Sequence, residues 1–190
     1  MKNFIAAITL CLMIITFQTG FTQIEPIQGR VTNVFKVNLL MPGFSYEQKL
    51  GLSTTLHFET YMDALVLGPG YENSGYTFYP TPSFKTELRT YYNILDRFKK
   101  GKYSAHNSGN YFSLFYQGRY SQTGDYLGNQ LVNQAGVLWG FQRNFPSGIS
   151  FDFNFGLVHS FVSNYVQYYD RIQVATNLRL GYRFGGKSKK

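Results

Sequence analysis

The chain has 190 residues, with 18 Lys and Arg against 10 Asp and Glu, a single Cys, 18 Phe and 16 Tyr. Charged residues make up 15% and aromatic residues 18%, which excludes a disordered or acidic solvating segment and points to one folded domain. No apolar run approaches the roughly 20 residues that a spanning helix needs, so a helical membrane protein is excluded as well.

The first 22 residues read as a secretory signal peptide. Lys2 supplies the positive start, Ile5 to Phe17 the apolar stretch, and Thr19, Gly20 and Thr22 the small or polar end. The apolar part is too short to span a bilayer. The only cysteine, Cys11, lies inside it behind Leu10, so a lipid-anchor cleavage site is not supported. Residues 23–190 then form a single cysteine-free domain with neither disulfide nor thiol chemistry.

Beyond the signal, apolar and polar residues alternate with period two, the signature of strands whose successive side chains point to opposite faces. Val34 to Met41 places Phe35, Val37, Leu39 and Met41 opposite Lys36 and Asn38. Phe44 to Leu50 follows as a short second strand of seven residues. Leu52 to Met62 sets Leu52, Leu56, Phe58 and Met62 against His57 and Glu59. Pro82 to Tyr92, Asn110 to Tyr120 and Leu131 to Phe145 are the next three strands. The clearest alternation is Ile149 to Leu157, with Ile149, Phe151, Phe153, Phe155 and Leu157 on one face and Ser150, Asp152, Asn154 and Gly156 on the other. Ile172 to Phe184 ends the series, with Arg179 and Arg183 on its polar face. Turn residues separate the strands: Pro42-Gly43, Gly51, Gly68-Pro69-Gly70, Gly101, Gly124-Asp125 and Pro146-Ser147-Gly148.

Eight strands meandering through one domain predict an all-β, eight-stranded antiparallel transmembrane up-and-down β-barrel. The polar faces then point inward and carry Lys36, Glu47, Lys49, Glu59, Lys85, Glu87, Arg89, Arg119, Asp152, Arg179 and Arg183. A barrel this narrow is filled by side chains, so these charges pair as a plug and do not line a pore. Tyr61, Tyr91, Tyr92, Tyr116, Trp139 and Tyr165 fall toward strand ends, where a membrane interface favours such rings. The opposite orientation, with the apolar stripes inside, would make a soluble periplasmic ligand-binding barrel.

Several segments resemble small outer-membrane β-barrel proteins of the OmpA and OmpX type. The closest likeness is to a poorly characterised envelope barrel family of unknown function. The matching text is Lys36-Val37-Asn38-Leu39-Leu40, Ser45-Tyr46-Glu47, Gly109-Asn110-Tyr111, Gly140-Phe141-Gln142 and Leu180-Gly181-Tyr182-Arg183-Phe184. The last segment resembles the terminal signal read by barrel-assembly machinery, although Gly185 to Lys190 follow it here. The resemblance implies a location in the cell outer membrane, lipid and assembly machinery as partners, a monomer, and a structural or surface-interaction role without enzymatic activity.

The expected outward connections are Asp63 to Thr81, Ser121 to Gln130 and Ser160 to Arg171. The inward connection from Asn93 to Gly109 is long. Asn93-Ile94-Leu95-Asp96 suggests a helix start and Gly101 a helix stop, with Arg97, Lys99, Lys100 and Lys102 making its end basic. The sequence contains no catalytic, metal-binding or cofactor-binding motif, so no catalytic, cofactor or metal residue is assigned. His159, Ser160 and Ser163 invite comparison with outer-membrane lipid deacylases, but His159 shares the parity of Phe155 and Leu157 while Ser160 points the other way. His57 is expected as a lumen hydrogen-bonding residue near Glu59, and His106 falls in a loop. The basic charges are dispersed on strand interiors in an exported chain, so nucleic acid is not a partner.

Overall fold

A computed structural model describes residues 28–67, 77–123, 128–162 and 171–184 of the protein. The expected signal peptide, Ser163 and Tyr165 lie outside the described residues. Eight strands, β1 (Val34–Asn38), β2 (Gly43–Lys49), β3 (Thr54–Leu67), β4 (Thr77–Tyr91), β5 (Asn110–Thr123), β6 (Gly128–Asn144), β7 (Ile149–Val162) and β8 (Arg171–Phe184), pair in chain order. Each neighbouring pair is antiparallel, and β1 pairs with β8 to close the ring. Among the described residues no helix is long and apolar enough to cross a membrane.

The circuit does not close level. From Phe35, cross-strand partners lead through Tyr46, Phe58, Thr86, Tyr116, Ala135 and His159 to Ile172, yet Phe35 itself pairs with Phe184, a stagger of twelve residues along β8. A stagger of this size tilts the strands strongly against the barrel axis.

The expected parity holds on every strand. In β7, Asp152 and Asn154 are buried while Phe155 and Leu157 are exposed; in β8, Arg179 and Arg183 are buried while Leu178, Leu180, Tyr182 and Phe184 are exposed. Glycine solves two local packing problems on the outer wall. Gly148, at φ +93, makes the β6–β7 turn and leaves room for the Tyr182 ring, and the Phe84 ring covers the bare backbone of Gly118.

Three expectations need correction. The predicted outward connections are shorter, because β3 runs on to Leu67, β4 begins at Thr77, β5 reaches Thr123, β6 starts at Gly128 and β7 continues to Val162. Pro80 and Pro82 do not interrupt β4. The Met62 N–H donates to Pro42 on the β2 side, so the amide position of its partner Pro82 faces the β5 side, where pairing has already ended at Ser83 and Arg119. Tyr61 and Tyr91 lie in the lumen, not at the wall's outer rim, because they share the parity of Glu59 and Arg89. Lys49 is exposed at the end of β2, and Arg119 is only partly buried near the opposite mouth.

Candidate functional site

The lower half of the lumen is filled by a charged network. Lys36, Lys85, Arg89 and Arg179 face Glu47, Glu59, Glu87 and Asp152, four cations against four anions, all buried. Arg89 is the hub. Its guanidinium donates to Glu87 at 2.9 Å, Asp152 at 2.9 Å, the Gln142 side-chain oxygen at 3.0 Å and Glu47 at 3.4 Å, and it lies 4.4 Å from the Tyr111 ring centre. Arg179 donates to Glu59 at 2.8 Å and approaches Glu87 and Asp152 at 3.5 and 3.6 Å. Lys85 sits 3.4 Å from Glu59 and 3.5 Å from Glu87, while Lys36 donates to Gln142 at 2.7 Å.

Neutral donors add to three of the four carboxylates. Tyr91 and Asn107 donate to Glu47 at 2.6 and 2.8 Å, Tyr111 to Asp152 at 2.7 Å, and Asn38 to Glu59 at 2.8 Å. Buried charges of this kind are tolerated only when paired and hydrogen-bonded. His57 lies in the lumen near Glu59 as expected, its Nε2 3.8 Å from Glu59 Oε2, but neither ring nitrogen finds a hydrogen-bond partner among the described residues. Above this layer Phe115, Leu138 and Val158 form a small apolar cluster inside the ring.

The lower mouth is closed by chain segments that were not foreseen as a plug. Helix α1 (Ile94–Lys99) forms where expected, and Gly101, at φ +66, stops it. The Asn93 side chain makes no cap bond; its oxygen instead accepts from the Asn110 N–H at 2.7 Å, tying the helix entry to β5. Ile94 packs with Val31, Tyr91 and Tyr111. The following loop turns through two left-handed residues, His106 at φ 53 and Asn107 at φ 64. That turn lets Asn107 accept from the Thr32 N–H at 2.7 Å, donate back to the Thr32 carbonyl at 2.9 Å, and reach Glu47. The Asn144 amide donates to the His106 carbonyl, and Ser108 bonds the backbone of Asn144. Beside the helix, burial pushes the Tyr103 phenol up and the Arg97 guanidinium down from their ordinary values.

The outer wall is apolar and ringed. Near the lower end the Trp139 indole N–H donates to the Tyr92 hydroxyl at 3.0 Å, and Trp139 contacts Phe141 and Phe155. Higher up, the Tyr116 hydroxyl donates to Asn133 at 2.7 Å, so one outward polar side chain is covered by the ring that bonds it.

The two described members of the deacylase-like trio do not meet. His159 is exposed on the outer wall against the Phe161 ring, whereas Ser160 is buried inside, accepting from Gln134 at 2.9 Å. Among the described residues no group of three His, Cys, Asp and Glu side chains could hold a metal ion. No family model, no curated protein and no solved structure matches the chain.

Proposed function

We propose that the protein is a small integral β-barrel of the cell outer membrane, of the OmpA and OmpX kind, with a structural or surface-interaction role and no enzymatic activity. One observation carries this reading: the barrel is inside-out relative to a soluble one. Among the described residues 27 polar or charged residues are buried against ten apolar ones, while 29 large apolar or aromatic side chains are exposed. A soluble carrier needs the opposite arrangement, with its apolar stripes inside, and in water this outer wall would be one continuous aggregation surface. In a bilayer the same wall is solvated by lipid, and the ring closure leaves most backbone groups paired.

Dimensions agree with a membrane. Strands of 14 to 17 residues, as in β3 to β8, rise about 3.3 Å per residue and, tilted by about 45°, span about 33 Å or more, enough for the apolar band of about 25 Å. Lipid and barrel-assembly machinery are the partners on this reading, and the filled lumen makes the barrel non-conducting. The test is fractionation of tagged protein with and without detergent, followed by gel mobility before and after boiling. A detergent-requiring envelope species whose mobility changes on heating supports the proposal, and release into the aqueous periplasmic fraction refutes it.

A further inference from the structure

The wall is complete only in its lower part. β1 has 5 residues and β2 has 7, whereas β3 to β8 have 14 to 17. Pairing between β2 and β3 ends at Gly43 and Tyr61, and pairing between β1 and β8 ends at Asn38 and Gly181. The last bonds run from the Met62 N–H to Pro42 and from the Leu39 N–H to Leu180. Above them β3 continues to Leu67 and β8 to Arg171, and no strand of the described residues lies between. The notch is two strands wide, about 10 to 15 Å.

Exposure marks the opening. Ile172 and Val174 on the β8 edge are 74% and 72% exposed, more than any other large apolar side chain described. The inward-facing Gln173 is exposed and Asn177 half-buried, whereas Gln117, Ser83 and Ser160, inward on other strands, are buried.

Two features meet at the β3 corner of this notch. On the inner side, Arg119 and Asp63 pair at 2.8 Å with side chains 34% and 17% exposed, unlike the lumen pairs below them. The Arg119 Nε has no hydrogen-bond acceptor among the described residues. On the outer side, an apolar groove of about 490 Å³ starts at Pro42 and crosses Thr60, Met62, Pro82 and Phe84, whose ring lies over Gly118.

We propose that this corner binds a zwitterionic glycerophospholipid. One acyl chain lies in the outer groove, and the headgroup turns around the β3 edge into the notch, phosphate toward Arg119 and ammonium toward Asp63. Charge complementarity selects this headgroup. A purely anionic head would meet Asp63 and a purely cationic one Arg119, whereas opposite charges a few ångströms apart satisfy both. The backbone supplies a second reason. Leu180 turns its carbonyl toward β1, so Leu178, Thr176 and Val174, of the same parity, turn theirs toward the notch, where hydrocarbon offers no partner and a hydrated headgroup does. The inference rests on the outer-membrane reading.

The experiment is native mass spectrometry of the full chain purified in detergent and mixed with dioleoyl phosphatidylethanolamine or dioleoyl phosphatidylglycerol. The expected result is retention of the ethanolamine lipid over the glycerol lipid. Retention weakens about tenfold or more in the Asp63→Asn/Arg119→Gln double variant, which removes both headgroup charges. Thr60→Phe, which fills the groove from an exposed outward position, weakens it too, and an unchanged heat-dependent gel shift shows that each variant is folded. Equal retention of the two lipids, retention indifferent to both variants, or a lipid-free dimer whose second copy occupies the notch would overturn the proposal. A detergent-requiring protein that retains no lipid sinks this inference alone; a detergent-free protein sinks the membrane reading with it.

Discussion

Replacing Arg89 by Met tests whether the lumen is held together by its charges. The substitution keeps the length of the stem and removes a guanidinium that touches three carboxylates and Gln142, at distances from 2.9 to 3.4 Å. Breaking a buried ion pair by removing one partner costs about 3–5 kcal/mol, because the remaining charge is left uncompensated. Here the carboxylates keep other partners: Glu87 has Lys85 and Arg179, Asp152 has Tyr111 and Arg179, and Glu47 has Tyr91 and Asn107. The loss therefore falls toward the lower end, about 3 kcal/mol. Arg89→Lys keeps the charge but not the planar fork and falls between. In Arg89→Met/Asp152→Leu one stranded carboxylate is gone, so the double variant recovers about 1 kcal/mol or more relative to the sum of the single losses. Urea unfolding in detergent micelles, followed by Trp139 fluorescence and gel mobility, reads the wild type, Arg89→Met, Arg89→Lys, Asp152→Leu and the double variant. A loss below about 0.5 kcal/mol in Arg89→Met, or strict additivity in the double variant, would refute the argument that these charges act as one network.

Asn107→Ala removes the clasp on Thr32 and Glu47 and also strains a left-handed backbone position, so a loss of about 2–3 kcal/mol is expected in the same urea assay. Asn107→Gly accepts the left-handed backbone without strain and should show only the side-chain part of that loss. Gly148→Ala places a Cβ about 2.5 Å from the Tyr182 ring at φ +93, and an unfolding midpoint unchanged from wild type would show that the β6–β7 turn is more compliant than described. His159→Ala and Ser160→Ala should leave the acylation pattern of envelope lipids unchanged; mass spectrometry showing an altered pattern would revive the hydrolase alternative.

Much of the fold was legible because strand side chains alternate. Ile149 to Leu157 and Ile172 to Phe184 carry their orientation in plain text, and the position of Arg179 and Arg183 decides which face lies inside. The seven-residue length of β2 was also readable, although its consequence, an opening above the β1–β2 hairpin, depends on the lengths of β3 and β8. Strand ends are less legible: Pro80 falls in the expected loop, yet β4 begins at Thr77, and the register turns the missing amides of Pro80 and Pro82 away from β3. For Tyr61 and Tyr91, parity with Glu59 and Arg89 is a better guide to position than residue type. The plug was not readable, because the reach of Asn107 into the lumen depends on two left-handed residues, His106 and Asn107, that carry no glycine to announce them. Gln142 was likewise missed; it bridges Lys36, Arg89 and Glu47 only once β6 faces β1, β2 and β4 across the lumen.

The central claim is that the apolar wall faces lipid, and Trp139 reports on it directly. It is the only tryptophan in the chain and sits on the outer face of β6 against Tyr92, Phe141 and Phe155. Reconstituted into vesicles whose phospholipids carry bromine at defined positions along the acyl chain, the protein should lose much of its tryptophan fluorescence. Quenching should be greatest for bromines near the headgroup end, consistent with a ring at the lower interface. Fluorescence unaffected by brominated lipid but quenched by aqueous iodide would contradict a lipid-facing wall.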